Sequence, residues 1–304
     1  MSIRVFCVLV VAGAAALVGP GPARAADPPL TVTDRTAVAI VQPHTGSLVR
    51  SECQKGEEVV GGGFGVQASR YTEPLPPKLP SNLFPVVASF PQNTTSWTVV
   101  VANRSEEPVL FAAHAQCASR SVGVEIVTMP VGIDAAGTRI YCPRKTTMVT
   151  GGGWDLGNLH ALGTDVVDIR SSYVLEDSWK IVAWPADGST VQPYKDVFKG
   201  YALCASHSLH RGSYEPVMAV PPAGPDDMAT DATIEVGCAK GELLTGAGHH
   251  IHEGTIGITT FFPWYGSAGG RWVLTVQSLP VDHNGKLRNP GGSAWAGPMC
   301  AKVS

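Results

Sequence analysis

The chain repeats one cysteine-containing segment three times, and this repeat restricts its possible folds more than any other feature. Each copy contains a cysteine, then a glycine-rich run, and then a second cysteine 62 or 64 residues after the first. The openings read CQKGEEVVGGGF from Cys53, CPRKTTMVTGGGW from Cys142 and CAKGELLTGAGH from Cys238. A recurrence at a fixed period indicates tandem copies of one structural unit. It predicts three β modules of roughly 90 residues each, and their bounds are 26–119, 120–212 and 213–304.

Residues 1–25 have the pattern of a secretory signal peptide. Arg4 precedes an apolar run that extends to Val18, and Ala23-Arg24-Ala25 supplies the small residues that signal peptidase recognises. The apolar run is too short for a stable membrane span, although an uncleaved anchor is an alternative. We therefore expect a secreted, extracellular chain with no membrane span after cleavage.

Six cysteines follow the signal peptide, and an even count in an exported chain indicates disulfides. None of them forms the closely spaced pair that a zinc ribbon requires. The repeat favours one bridge within each copy, and pairing between copies is the alternative. The predicted bridges are Cys53–Cys117, Cys142–Cys204 and Cys238–Cys300.

The charge of the mature chain argues against a nucleic-acid partner. Removal of Arg4 and Arg24 leaves 20 basic and 25 acidic residues, a formal charge of −5. No cluster of lysines and arginines is long enough to follow a phosphate backbone. We therefore expect no nucleic acid among the partners.

Alternating apolar residues predict an all-β fold. Each copy contains a tryptophan followed by aliphatic residues at every second position, which is typical of a half-buried strand with the tryptophan in the core. These sets are Trp97, Val99 and Val101; Trp179, Ile181 and Ala183; and Trp272, Leu274 and Val276. Each module is predicted to be a small antiparallel β-sandwich of about six to eight strands. The sequence leaves open whether the modules form a string or pack around a pseudo-threefold axis.

The glycine runs at 61–63, 151–153 and 246–248 follow short strand-like stretches. They predict a bulge or tight crossing, where another backbone packs too close for a side chain. A phosphate-binding loop would need a following helix and a Lys-Ser/Thr pair, and the sequence shows neither.

The whole pattern of Cys-x-Lys-Gly, glycine triplet, Trp-x-Val-x-Val and closing cysteine resembles a module of exported proteins from high-GC Gram-positive bacteria. The resemblance covers nearly all of the mature chain. It implies secretion and a β fold, and it implies no particular reaction.

The third copy differs most from its siblings, first in the stretch HHIHE. His249 replaces an inward aromatic residue, so we expect it to be a core histidine that makes a hydrogen bond. His250 and His252 lie two positions apart on a strand and should project together from the outer face. Together they are candidate ligands for Zn²⁺ or Cu²⁺. Glu253 points to the other face, so Asp282 or His283 would have to supply a third ligand.

The second difference is the stretch FFPWY at 261–265, where the other copies read SFPQN and SSYVL. Phe262, Trp264 and Tyr265 are candidate ligand-binding residues, because aromatic side chains clustered on a loop can stack on sugars or bind a partner. The alternative is that some of these rings cover a seam between modules.

The sequence supports three functional hypotheses. The first is a secreted, non-enzymatic protein that binds a glycan, a cell-envelope polymer or a surface partner through module 3, without a cofactor. The second is a secreted, metal-assisted hydrolase that uses zinc at His250 and His252. The third is a structural or inhibitor module that binds an extracellular protein.

Overall fold

The computed structural model describes 28–67, 85–146, 148–157, 167–185, 194–220, 230–253, 256–266, 269–278 and 292–303, so the signal-peptide prediction lies outside the described residues. These residues form β-strands and connections, with no helix among them. The strands are β1 Val32–Val41, β2 Thr45–Glu52, β3 Glu58–Gln67, β4 Val86–Asn93, β5 Ser96–Asn103, β6 Val109–Ala118, β7 Glu125–Tyr141, β8 Met148–Asp155, β9 Val167–Leu175, β10 Ser178–Pro185, β11 Tyr194–Ala205, β12 Leu209–Arg211, β13 Val217–Ala219, β14 Thr230–Gly237, β15 Leu243–Glu253, β16 Ile256–Gly266, β17 Gly269–Ser278 and β18 Ser293–Val303.

The strands form one six-stranded and one twelve-stranded antiparallel sheet, and the larger sheet divides at β7 into two parts, so we describe three sheets. The first sheet runs β1-β6-β3-β16-β17-β14 and the second runs β2-β5-β4-β8-β11-β7. The third runs β7-β10-β9-β15-β18-β12, and β13 also pairs with β18. Strand β7 belongs to two sheets because its first half pairs with β11 and its second half with β10. The prediction of an all-β, antiparallel fold is confirmed.

Every sheet is shared between two copies of the repeat. The glycine-rich strand of each copy pairs with a strand of another copy: β3 with β16, β8 with β4, and β15 with β9. These pairings close a cycle from the first copy to the third, from the third to the second, and from the second to the first. The copies are therefore arranged around an approximate threefold axis. Within the first copy, the two half-sheets β1-β6-β3 and β2-β5-β4 pack against each other like a small sandwich.

The first glycine of each run lies where the three copies meet. A Cβ added to Gly61 would lie 2.1 Å from the carbonyl oxygen of Thr245, and one added to Gly151 would lie 3.1 Å from Cα of Gly61. A Cβ on Gly246 would lie 2.8 Å from the carbonyl oxygen of Thr150. The predicted close approach of another backbone is confirmed, and that backbone belongs to a neighbouring copy.

The second glycine of the run makes room for the core tryptophan of its own copy. A Cβ on Gly62 would lie 2.1 Å from the ring of Trp97, and one on Gly152 would lie 2.5 Å from the ring of Trp179. All three core tryptophans are at most 1% exposed, and the aliphatic residues in phase with them are also buried. The predicted inward face of each strand is confirmed.

The tryptophan of the third copy lacks a hydrogen bond that its counterparts make. The indole N–H of Trp97 donates to Ser89 Oγ at 3.1 Å, and that of Trp179 donates to Ser172 Oγ at 3.0 Å. Phe261 occupies the same register position in the third copy. Its ring centroid lies 5.2 Å from that of Trp272, whose buried N–H has no hydrogen-bond partner among the described residues.

His249 is a core residue, as predicted. It lies in register with Phe64 and Trp154 of the other copies and is 1% exposed, with its ring 5.9 Å from Trp154 and 5.1 Å from Phe261. Burial lowers its pKa to about 3, and the backbone of Ile169 opposes this only in part. Among the described residues, no hydrogen bond of ordinary geometry reaches either ring nitrogen, so the weak interaction with the backbone of Ile169 is all that corresponds to the expected hydrogen bond.

The structure contains the three disulfides that the repeat predicts, Cys53–Cys117, Cys142–Cys204 and Cys238–Cys300. Each joins the segment before the glycine-rich strand to the last long strand of the same copy. Such bridges are typical of an extracellular protein. Among the described residues, no helix is long and apolar enough to cross a membrane.

Candidate functional site: the outer face of the third sheet

His250 and His252 project from the same side of β15, opposite to His249. Their ring centroids are 5.8 Å apart, and His252 is exposed while His250 is half-buried. Nδ1 of His250 lies 2.5 Å from Oγ of the buried Ser171 on β9. The prediction that His250 and His252 share an outer face is therefore correct. The hydrogen bond with Ser171 of the second copy orients the imidazole of His250.

Two further aromatic rings lie beside His250, those of Tyr173 and Trp295, and the ring of Tyr214 adjoins Trp295. Trp295 on β18 lies 5.5 Å from His250 and 5.0 Å from Tyr173 on β9, measured between ring centroids. Tyr214, in the segment before β13, meets Trp295 edge-on at 6.4 Å. We call Tyr173, Tyr214, His250, His252 and Trp295 the aromatic surface. Apart from the exposed His252, all of its rings are half-buried.

A pair of glycines brings these rings close to the sheet. Gly248 on β15 is paired with Gly297 on β18. A Cβ on Gly297 would lie 2.5 Å from the hydroxyl of Tyr214, and one on Gly248 would lie 2.5 Å from Cβ of Tyr173. The tyrosines therefore rest on bare backbone, which limits the positions open to their rings.

Burial favours the neutral form of three titratable groups of the aromatic surface, those of His250, Tyr173 and Tyr214. It is the main cause of the lowered pKa of His250, with smaller contributions from His252 and Lys180. Burial also raises the pKa of Tyr173 and of Tyr214. These three half-buried rings thus favour their neutral forms and carry hydrogen-bonding groups at their edges.

The metal hypothesis rests on two histidines in the described structure. Among the described residues, no third His, Cys, Asp or Glu joins His250 and His252 in a set whose ligand atoms all lie within 4.8 Å of one another. Asp282, His283 and the side chain of Glu253 lie outside the described residues. A metal at His250 and His252 therefore stays a prediction.

The FFPWY stretch lies within strand β16 and not on the loop that we expected. The ring of Phe262 stacks on that of His114 at 5.0 Å and covers Gly65, both in the first copy. Phe261 is buried beneath it. These two rings cover the seam between the third and first copies, as in the alternative interpretation. The side chains of Trp264 and Tyr265 are not described, so ligand binding there stays a prediction.

A histidine–carboxylate pair lies beside Phe262, with the imidazole buried and the carboxylate partly exposed. Nδ1 of His114 is 3.0 Å from Oδ2 of Asp34, and the hydroxyl of Thr36 lies 3.2 Å from the same nitrogen. Nε2 of His114 is buried and has no hydrogen-bond partner in the part of the chain that the structure describes. The carboxylate and hydroxyl both occupy the Nδ1 side, so they orient the imidazole and place no nucleophile at Nε2.

Sequence reasoning missed Tyr173, Tyr214 and Trp295, which come from two copies and from three separate segments. One signal was available for Trp295. It stands five residues before the closing cysteine, where the other copies have Ala112 and Lys199. An aromatic residue at that outward position is another departure of the third copy from the repeat.

Comparison with known proteins assigns no family to the chain. No family model matches it, and no curated protein shows significant similarity to it.

Proposed function

We propose that the chain is a secreted, non-enzymatic protein that binds a glycan, such as a cell-envelope polysaccharide, through the aromatic surface. The observation that carries this proposal is the group of half-exposed rings of Tyr173, Tyr214 and Trp295, which lie 5.0 to 6.4 Å from their neighbours. The signal-peptide pattern and the three disulfides support export.

The chemistry of the aromatic surface suits a sugar. A pyranose ring presents apolar C–H groups on its face and hydroxyls at its edge. Aromatic rings can cover the apolar face, while the Trp N–H, Tyr hydroxyl and His nitrogens bond the edge. Because the rings rest on Gly248 and Gly297, little side-chain entropy is lost on binding.

The location of the surface favours binding over hydrolysis. It is the face of a sheet, and its five side chains include no carboxylate. A glycosidase of the common kind needs two carboxyl groups on either side of the scissile bond. The aromatic surface thus offers stacking and hydrogen bonds without the acid and base of that reaction.

Pull-down of the purified protein with insoluble polysaccharides, including chitin, cellulose and isolated cell-wall sacculi, tests the proposal. We expect at least one polymer to retain the protein, and Trp295→Ala to weaken retention by about tenfold or more. Trp184→Ala is the matched control, because Trp184 is an exposed tryptophan on β10 of the same sheet. Urea unfolding of each variant verifies that it is folded.

Two results would contradict the proposal. One is retention by none of the polymers. The other is retention that is lost in Trp264→Ala and kept in Trp295→Ala, which would place binding on β16. Stoichiometric zinc in the purified protein that disappears in His250→Ala would instead favour the metal-assisted hydrolase.

A further inference from the structure

A separate cleft of about 700 Å³ opens at the seam between the second and third copies. This volume is within the range of small-molecule sites in proteins. The cleft lies between the β7–β8 connection, the β9–β10 turn, the segment before β13 and strand β18. Tyr214 lines its edge, so the cleft borders the aromatic surface without being part of it.

The first copy shows why the cleft is open. There, two backbone hydrogen bonds close the corresponding seam, from Cys53 N to Thr95 O and from Val59 N to Thr94 O, both 2.8 Å. In the second copy, only the first bond has a counterpart, from Cys142 N to Asp177 O at 3.2 Å.

The second bond would join Val149 to Glu176, and neither of these described residues makes it. The carbonyl of Glu176 instead accepts a hydrogen bond from Arg211 at 3.2 Å. The β9–β10 turn therefore lacks the backbone hydrogen bond to Val149, and the carbonyl of Glu176 is bonded to the side chain of Arg211.

A side-chain difference also leaves the mouth of the cleft open. In the first and third copies, a glutamate follows the opening cysteine by four residues and bonds across the seam or turn. Glu57 pairs with Arg35, and Glu242 accepts hydrogen bonds from Ser213. The second copy has Thr146 at this position, whose short hydroxyl donates to the carbonyl of Pro143.

The lining of the cleft has an apolar floor and a rim that carries both charges. Four buried side chains form the floor: Met148, Val149, Val174 and Met299. The rim carries the exposed side chains of Arg144, Arg211, Glu176 and Asp177. Among the described residues, no ion pair joins these four side chains to one another.

We propose that this cleft binds a zwitterionic ligand with an apolar body, of the class of short peptides with free termini. An arginine can hold a carboxylate through two parallel hydrogen bonds, and the carboxylates of the rim suit an ammonium group. The apolar floor then removes aliphatic side chains from water. This proposal does not depend on glycan binding, because it uses other residues and another ligand chemistry.

Titration of the ¹⁵N-labelled protein with leucyl-leucine, followed by NMR, tests the proposal. We expect saturable shifts of the amide signals of Val149, Val174 and Met299. N-acetyl-leucyl-leucine amide, which has the same side chains and no charge, should bind at least about tenfold more weakly. Arg211→Gln and Asp177→Asn should each weaken the dipeptide by a similar factor.

Arg271→Gln is the control, because Arg271 is an exposed arginine on the first sheet, paired with Glu235. It should leave dipeptide binding unchanged. Absence of saturable shifts, equal affinity for the blocked dipeptide, or unchanged affinity in both Arg211→Gln and Asp177→Asn would each overturn the proposal.

Discussion

The buried histidine of the third copy predicts a specific loss of stability in acid. The pKa of His249 is lowered to about 3 in the folded chain, against 6.5 for an ordinary histidine, because burial penalises the charged imidazolium. Above pH 6.5 the histidine is neutral in both states and has no effect on the pH dependence. Below pH 6.5 the unfolded chain binds a proton that the folded chain excludes, so stability falls with pH until about pH 3.

The expected size of this effect follows from the lowered pKa. Protonation of this imidazole in the unfolded chain lowers the free energy of unfolding by about 1.4 kcal/mol for each pH unit below 6.5. The total loss is about 5 kcal/mol by pH 3. Carboxylates also titrate in this range, so the wild type alone does not isolate the histidine. The informative variant is His249→Phe, because phenylalanine is the residue at the equivalent position of the first copy, Phe64.

The assay is urea unfolding followed by tryptophan fluorescence between pH 7.5 and pH 4. We expect the free energy of unfolding of the variant, relative to that of the wild type, to rise by about 3 kcal/mol between pH 6.5 and pH 4. The contributions of the carboxylates cancel in this difference. Parallel curves for His249→Phe and the wild type would refute the reasoning, because they would mean that the imidazole is protonated within the fold.

Two further substitutions test the packing between and within the copies by the same urea assay. Gly61→Ala should destabilise the fold by about 3 kcal/mol or more, because the added methyl would overlap the carbonyl of Thr245. Gly237→Ala is the control, because its added methyl would lie no closer than 3.5 Å to another residue, and it should change the stability by less than about 1 kcal/mol. Equal losses of stability in Gly61→Ala and Gly237→Ala would contradict the close contact between Gly61 and Thr245. Ser89→Ala should cost about 1 to 3 kcal/mol, because it leaves the buried N–H of Trp97 without an acceptor. A Ser89→Ala variant as stable as the wild type would show that this bond has no net value.

The candidate sites were less predictable than the fold because they depend on neighbours that are distant in sequence. The outward direction of His250 follows from alternation along one strand, and the sequence predicted it correctly. Its contact with Ser171 depends on how β15 meets β9 of another copy. Phe262 illustrates the opposite case, since its residue type suggested an exposed platform and its pairing partner, β3, brings it onto His114.

The sequence alone determined the β structure and the inward face of each core strand, and it favoured the disulfide pairing that the structure contains. These properties follow from local alternation and from the comparison of one copy with another, which need no knowledge of how the copies pack. Only the tertiary structure decided that each sheet is shared between copies, that Gly61, Gly151 and Gly246 meet at one axis, and that an aromatic surface and a cleft form at the seam of the second and third copies. The physical reason is that a strand edge carries the same backbone donors and acceptors whatever its side chains, so its partner is chosen by the packing of the whole chain.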